Sequence, residues 1–201
     1  MKVSILLVIL FTVLVVDAQT DEKLRSELLA MRDRDQAARE ACDKGTTDDR
    51  ITCYVKIAED VDRPNTERLK AILKAGGFPD AKAVGKDGVE AFYLILQHSA
   101  DIELKKQCLE HITKAFEAKL LAPISYANFT DRLLVNLGKP QVYGSNFELK
   151  DGKLVMSATE NLNNLDKRRA KIGLPPIADY VKMLRDVYKM EVVDPLRPID
   201  R

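Results

Sequence analysis

Along most of this chain apolar residues return every three or four positions, the spacing of a helix with one buried face. Leu24, Leu28, Leu29 and Met31 begin such a run, which predicts a helix over about 21–43 ended by Gly45 and its polar neighbours. Ile51, Val55, Ile57 and Ala58 predict a second over about 49–60. Asp62-Arg63-Pro64 reads as a break and restart, with Pro64 in a first turn and Asp62 accepting bonds from the free amides there. Leu69, Ile72 and Leu73 carry a third helix to Ala75, which Gly76-Gly77 terminates. Residues 84–88 read as a loop and cap, and 89–98 as a strongly apolar, central helix. Leu104, Cys108, Leu109, Ile112 and Phe116 share one face of a helix over 102–120, and Pro123 and Ser125 open another that Gly138 closes. The period then changes. Val142, Phe147, Leu149, Leu154, Val155 and Met156 surround Lys150-Asp151-Gly152-Lys153, and Asp-Gly between apolar segments is a hairpin signal. Helices over 161–172 and 175–190 follow. The pattern predicts a mainly α fold, a single-domain helical bundle with one small β-hairpin.

The first residues follow a different rule. Met1-Lys2 supplies one positive charge, 3–16 is almost wholly apolar, and Val16-Asp17-Ala18 ends in a small residue. That order predicts a secretory signal peptide over 1–18, cut after Ala18. An uncleaved anchor is the alternative, but the run falls short of the about 20 apolar residues that span a bilayer. No Cys follows the cut to take a lipid. The expected organisation is a signal peptide (1–18), a helical domain (19–190) and an extended C-terminal tail (191–201), whose two prolines and lack of period exclude a helix. The expected location is secreted or periplasmic, with no stable membrane anchor after processing.

Charge narrows the partners. The formal net charge is +1, with both signs interspersed, so the chain has no electrostatic footprint for nucleic acid. Trp is absent, which disfavours an aromatic-lined sugar groove. The three cysteines are Cys42, Cys53 and Cys108. In an exported chain, Cys42 and Cys53 flank a polar turn and could bridge; three reduced, buried thiols are the alternative. Cys108 reads as core. With two histidines and no HExxH, CxxC, phosphate-binding Gly loop or Gly-x-Ser-x-Gly elbow, no metal and no cofactor are expected.

Several polar groups remain that helices alone do not require. Asp35 and Arg39 are four apart, on one helix face. Gln97 and His98 end the most apolar helix. Asp131-Arg132 sits inside a helix, residues 138–145 form a turn rich in donors and acceptors around Gln141 and Tyr143, and Arg168-Arg169 precedes Gly173-Leu174-Pro175. Together with Asn65, Gly77-Phe78-Pro79, Val84-Gly85 and Gly88, these residues resemble an uncharacterised bacterial family, the domain of unknown function numbered 6624. The resemblance runs in order from about Leu28 to Tyr180. The Pro140-Gln141-Val142-Tyr143-Gly144 turn and the Gln97-His98 pair carry it most specifically. Phe78 stands where the family usually has Trp, Ser145 where Thr is common, and Ser99-Ala100 separates His98 from Asp101. The family implies no activity.

Each group also has a plain structural reading, such as a solvated Asp35–Arg39 pair or a Tyr143 ring lodged in the core. Convergence on one pocket would instead point to a ligand. The expected function is that of an exported protein with a polar pocket for a small polar or anionic ligand. In that pocket His98 handles protons, Arg39 or Arg169 holds an anionic group, and Gln97, Gln141 and Tyr143 orient the ligand. Two alternatives stand beside it. One is a hydrolase-like enzyme with His98 as general base, oriented by Asp35 or Asp131. The other is a structural envelope protein whose polar motifs only lock helices. In each case His98 should meet Asp35, Asp131, Arg39 or Tyr143. The ligand and the oligomeric state are not legible from the residues.

Overall fold

The computed structural model describes residues 21–45 and 47–193. The expected signal peptide and the end of the expected tail, 194–201, lie outside the described residues. Helix α1 (Glu22–Asp43) starts where the Asp21 carboxylate accepts from the Leu24 amide at 2.9 Å, satisfying one of the free donors of a first turn. It buries Leu28, Met31, Asp35 and Cys42, a stripe that includes one acid. Helix α2 (Thr47–Ile57) packs back on α1, and a disulfide joins Cys42 to Cys53 with the Cα atoms 5.6 Å apart. Reducing this bridge, which closes a loop of 11 residues, should lower stability by about 3 kcal/mol on the chain-entropy model. Urea melts with and without reductant measure it, and a difference below about 1 kcal/mol would contradict the estimate.

The expected break at Asp62-Arg63-Pro64 is instead continuous helix. A π-helical turn, Ala58–Asp62, carries α2 into α3 (Arg63–Gly76), with the Arg63 amide reaching back five residues to the Ala58 carbonyl. Pro64 falls in the first turn of α3, directly after the wide π-helical turn, and the helix continues through it. Asp62 makes no capping bond; its side chain points elsewhere, as described below.

Helix α4 (Ala81–His98) starts earlier than the apolar pattern implies. Asp80 accepts from the Lys82 and Ala83 amides at 2.9 Å, and the expected loop shrinks to a kink at Gly85, whose φ of 70° suits a residue without Cβ. Arg25 clamps the kink to α1 through two bonds to Asp87, at 3.0 and 2.7 Å. Asp101 caps α5 (Ile102–Glu117), and α6 (Pro123–Asn136) follows and packs on it. Strands β1 (Phe147–Lys150) and β2 (Lys153–Met156) pair antiparallel, Phe147 opposite Met156, and Asp151 and Gly152 both take the positive φ that the tight turn needs. A short 3-10 turn (Leu162–Asn164) leads into α7 (Leu165–Lys171), and α8 (Ile177–Tyr188) completes the helices.

Two apolar clusters organise these elements. The larger joins α1, α3, α4, α5 and α6 through residues such as Leu28, Leu69, Phe92, Leu96, Ile112 and Phe129. The smaller joins the hairpin to α7 and α8 through Leu165, Ile177, Val181 and Leu184. Val192 is buried in it, because 191–193 lies beside β2: Leu154 donates to the Glu191 carbonyl, and Val193 to that of Leu154, both at 2.9 Å. The fold is mainly α with one small β-hairpin. No helix among the described residues is long and apolar enough to cross a membrane.

Candidate functional site

The end of α4 meets the middle of α1 and the π-helical turn. Asp35 and Arg39, one turn apart, face inward there rather than forming a solvated pair: the Asp35 side chain is 0% exposed and that of Arg39 17%. His98, 20% exposed, brings Nδ1 to 2.9 and 3.0 Å from the two Asp35 oxygens. Gln36 donates to the same carboxylate at 2.7 Å, and Arg39 reaches it with Nη2 at 3.2 Å. Arg39 Nη2 also donates to Asp62 in a short bond. The π-helical turn thus places an acid opposite Arg39 that the sequence pattern assigns to a cap.

Charge fixes the proton. Burial would raise the Asp35 carboxyl, but the hydrogen bond and charge of His98, then the bonds from Arg39 and Gln36, outweigh it and hold it at about 2. An ionised Asp35 only accepts, so Nδ1 of His98 is the donor between them. The Arg39 Nε atom, 3.1 Å from Nδ1, then serves Asp35 and not the ring. Nε2 is left as the free ring nitrogen, with no hydrogen bond to it among the described residues. Burial lifts the Asp62 carboxyl above its ordinary value even though Arg39 opposes the shift.

Neighbouring groups brace this arrangement. Thr66 donates to the Asp62 carbonyl at 2.7 Å and meets the Ser99 hydroxyl at 2.8 Å, so the residue that separates His98 from Asp101 ties the end of α4 to α3. Tyr54, next to the disulfide, sets its ring 5.9 Å from the Arg39 guanidinium and donates to Asp43. The ligand atoms of Asp35, Asp62 and His98 lie within 4.8 Å of one another, a spacing a metal ion could use. Arg39, however, already donates to both carboxylates and supplies the positive charge there.

The structure does not bring the other expected residues to His98. Asp131 is fully buried and accepts from the amides of Val142, Tyr143 and Ser145 and from the Ser145 hydroxyl, at 2.8–3.0 Å for the closest approach of each. Its carboxylate holds the 138–145 turn and has no capacity left to orient His98, so Asp35 alone takes that part. Gln141, also fully buried, donates to the Asn146 and Ser157 carbonyls and accepts from the Asn146 amide. Arg169 is buried under the same turn, donating to the Tyr143 and Pro175 carbonyls at 2.7 Å, with its guanidinium 5.2 Å from the Tyr180 ring. Tyr143 lies near Tyr126, ring centroids 6.0 Å apart, and burial pushes its hydroxyl up to about 12. These four residues form a second network that joins α6, α7 and the hairpin, and none of them contacts the His98 group. Gln97 is paired with the Tyr93 hydroxyl and lines a cleft of about 240 Å³ with Asn128, Arg132, Ser145, Asn146 and Tyr180.

Two residues escape the sequence reading. Asp62 is hidden by its resemblance to a helix cap. Lys105 leaves a legible trace: it stands three and seven residues before Cys108 and Ile112, within an apolar stripe, and it is 2% exposed.

A family model matches residues 22–193, and its description is a family of unknown function, DUF6624. This is the resemblance that the turn motif and the Gln97-His98 pair carry. No curated protein and no solved structure matches the chain.

Proposed function

We propose that this chain, which belongs to the DUF6624 family, binds a small polar or anionic ligand at the outer end of α4 and transfers a proton on it through His98. One observation carries the reading: Asp35, buried and held ionised, accepts a hydrogen bond from Nδ1 of His98 and leaves Nε2 free on a ring that is still 20% exposed. A ring so oriented is a general base. Asp35 fixes its tautomer and stabilises the imidazolium that forms when Nε2 accepts a proton from water or a ligand hydroxyl. That favours a hydrolase-like reaction with water as the nucleophile, since no activated Ser or Cys lies in the group; Cys108 is buried and its thiol is pushed up to about 11 by burial. Arg39 acts through Asp35 and Asp62 and holds the acids in place. Export belongs to the same reading. It is supported by the charged and apolar order of the first residues and by the Cys42–Cys53 bridge, which an oxidising compartment preserves.

The experiment is a paired measurement on His98→Gln. The wild-type protein is screened against small anionic metabolites and cell-envelope fragments for turnover. The variant should lose activity on the substrate found by about 100-fold or more, the usual weight of a general base, while its melting temperature stays within a few degrees. A variant that keeps its activity, or one that unfolds with no separate functional loss, contradicts the proposal.

A further inference from the structure

The cleft that Gln97 lines, about 240 Å³ in volume, opens between the end of α4, α6, the start of β1 and α8. None of its lining residues belongs to the His98 group, so its chemistry stands apart from proton transfer there. Four polar side chains in the lining have bonding capacity that the fold does not use. Asn146 is the clearest case. It is 7% exposed, its backbone amide and carbonyl are both bound to Gln141, and its Nδ2 donates to the Ser157 hydroxyl at 2.8 Å. Ser157 donates its one proton to the Glu148 carboxylate, so it only accepts from Asn146, and the side-chain amide is held in one orientation. Oδ1 of Asn146 is thereby fixed as an acceptor, and it is neither paired nor sealed off among the described residues. Gln97 has one end of its amide held by the Tyr93 hydroxyl and the other unpaired among the described residues. Asn128 and Arg132, four apart on one face of α6, make no hydrogen bond or ion pair among the described residues.

We propose that this cleft binds a small carboxylate that also carries an O–H or N–H donor. Arg132 is the one charged side chain in the lining among the described residues, and no acid stands there to neutralise it. Its guanidinium can give a carboxylate two parallel hydrogen bonds. Oδ1 of Asn146 accepts from the ligand's donor, and the open amides of Gln97 and Asn128 meet its remaining polar atoms. Phe147 and Tyr180, with ring centroids 6.1 Å apart, offer a wall for a short apolar part. The space is smaller than the roughly 300–1,000 Å³ of pockets for drug-sized ligands, which limits the ligand to a few more atoms than these groups. Asn146 is already braced by three bonds, so little ordering is lost when its Oδ1 is used. A carboxylate without the donor would displace water from Oδ1 and leave that acceptor unpaired.

The test titrates three probes into nitrogen-15-labelled protein: lactate, a carboxylate with a hydroxyl; N-acetylalanine, a carboxylate with an N–H; and propionate, which has neither donor. The side-chain amide signals of Gln97, Asn128 and Asn146 are the readout. Lactate or N-acetylalanine should shift them saturably and bind about fivefold more tightly than propionate, the weight of one neutral hydrogen bond. The tighter of the two tells whether a hydroxy acid or an acylated amino acid is closer to the ligand. Arg132→Gln should weaken binding about tenfold, and Asn128→Asp, which sets a carboxylate beside Arg132, should do the same. Neither position bonds to the rest of the described fold, so both variants should melt close to the wild type. His98→Gln should bind the probes as the wild type does, which separates this cleft from the proposed base. The proposal is overturned if neither lactate nor N-acetylalanine shifts these signals, or if propionate binds as tightly as both. Wild-type affinity in Arg132→Gln, or loss of binding in His98→Gln, overturns it as well.

Discussion

Replacing Asp131 by alanine should cost about 5 kcal/mol, much of the 5–15 kcal/mol that holds a domain of this size together. The carboxylate is fully buried and serves three backbone amides, of Val142, Tyr143 and Ser145, and the Ser145 hydroxyl. Alanine removes every acceptor and leaves the donors in place. Each orphaned donor costs about 1–3 kcal/mol, and water entering the vacated space can satisfy only some of them. The loss spreads, because the same turn supplies the Tyr143 carbonyl that Arg169 uses and the Val142 carbonyl that Arg168 uses. Asp131→Asn, which keeps one acceptor oxygen, should fall between alanine and wild type. Urea melts give the energies, and hydrogen exchange at Val142, Tyr143 and Ser145 should report faster opening in both variants. A cost under about 2 kcal/mol for alanine would show that the turn does not depend on this acid.

Arg39→Met should cost about 3–5 kcal/mol, the usual result of removing one partner from a buried ion pair. The methionine fills much of the volume of the arginine, so the loss is one of charge. Asp35 and Asp62, both bridged by the guanidinium in the native chain, would face each other with only His98 to offset them. Adding Asp62→Asn to Arg39→Met should recover about 2 kcal/mol, because it removes the repulsion the first change creates. Strictly additive losses in this double-mutant cycle would mean that Arg39 and Asp62 do not interact energetically.

The sequence makes the helices legible where apolar spacing and caps agree. At α1 and α5 the buried stripe begins just after Asp21 and Asp101, and both acids cap as their positions suggest. Asp151-Gly152 reveals the hairpin because the turn needs two positive φ angles in succession. At Asp62-Arg63-Pro64 the local signals mislead. A cap, a basic residue and a proline look like a helix start, yet the π-helical turn lets the chain continue and turns Asp62 towards Arg39. Half of the site is legible for the same kind of reason. The four-residue spacing places Asp35 and Arg39 on one face, but whether that face meets water or His98 depends on where α4 ends, which is a tertiary fact. Asp131, Gln141 and Arg169 look like site residues because buried polar groups that bind a ligand and those that lock a turn are drawn from the same side chains. Only their partners separate the two, and here the partners are backbone amides and carbonyls.

The proposed role of His98 rests on an Nδ1–H that donates to Asp35 and an Nε2 left free to accept a proton. Nitrogen-15 NMR of the imidazole reads this arrangement, because the two ring nitrogens give separate signals. The neutral ring should carry its proton on Nδ1 and leave Nε2 unprotonated, and Asp35→Asn should disturb that preference. A neutral wild-type His98 that carries its proton on Nε2 would rule out a general base oriented by Asp35.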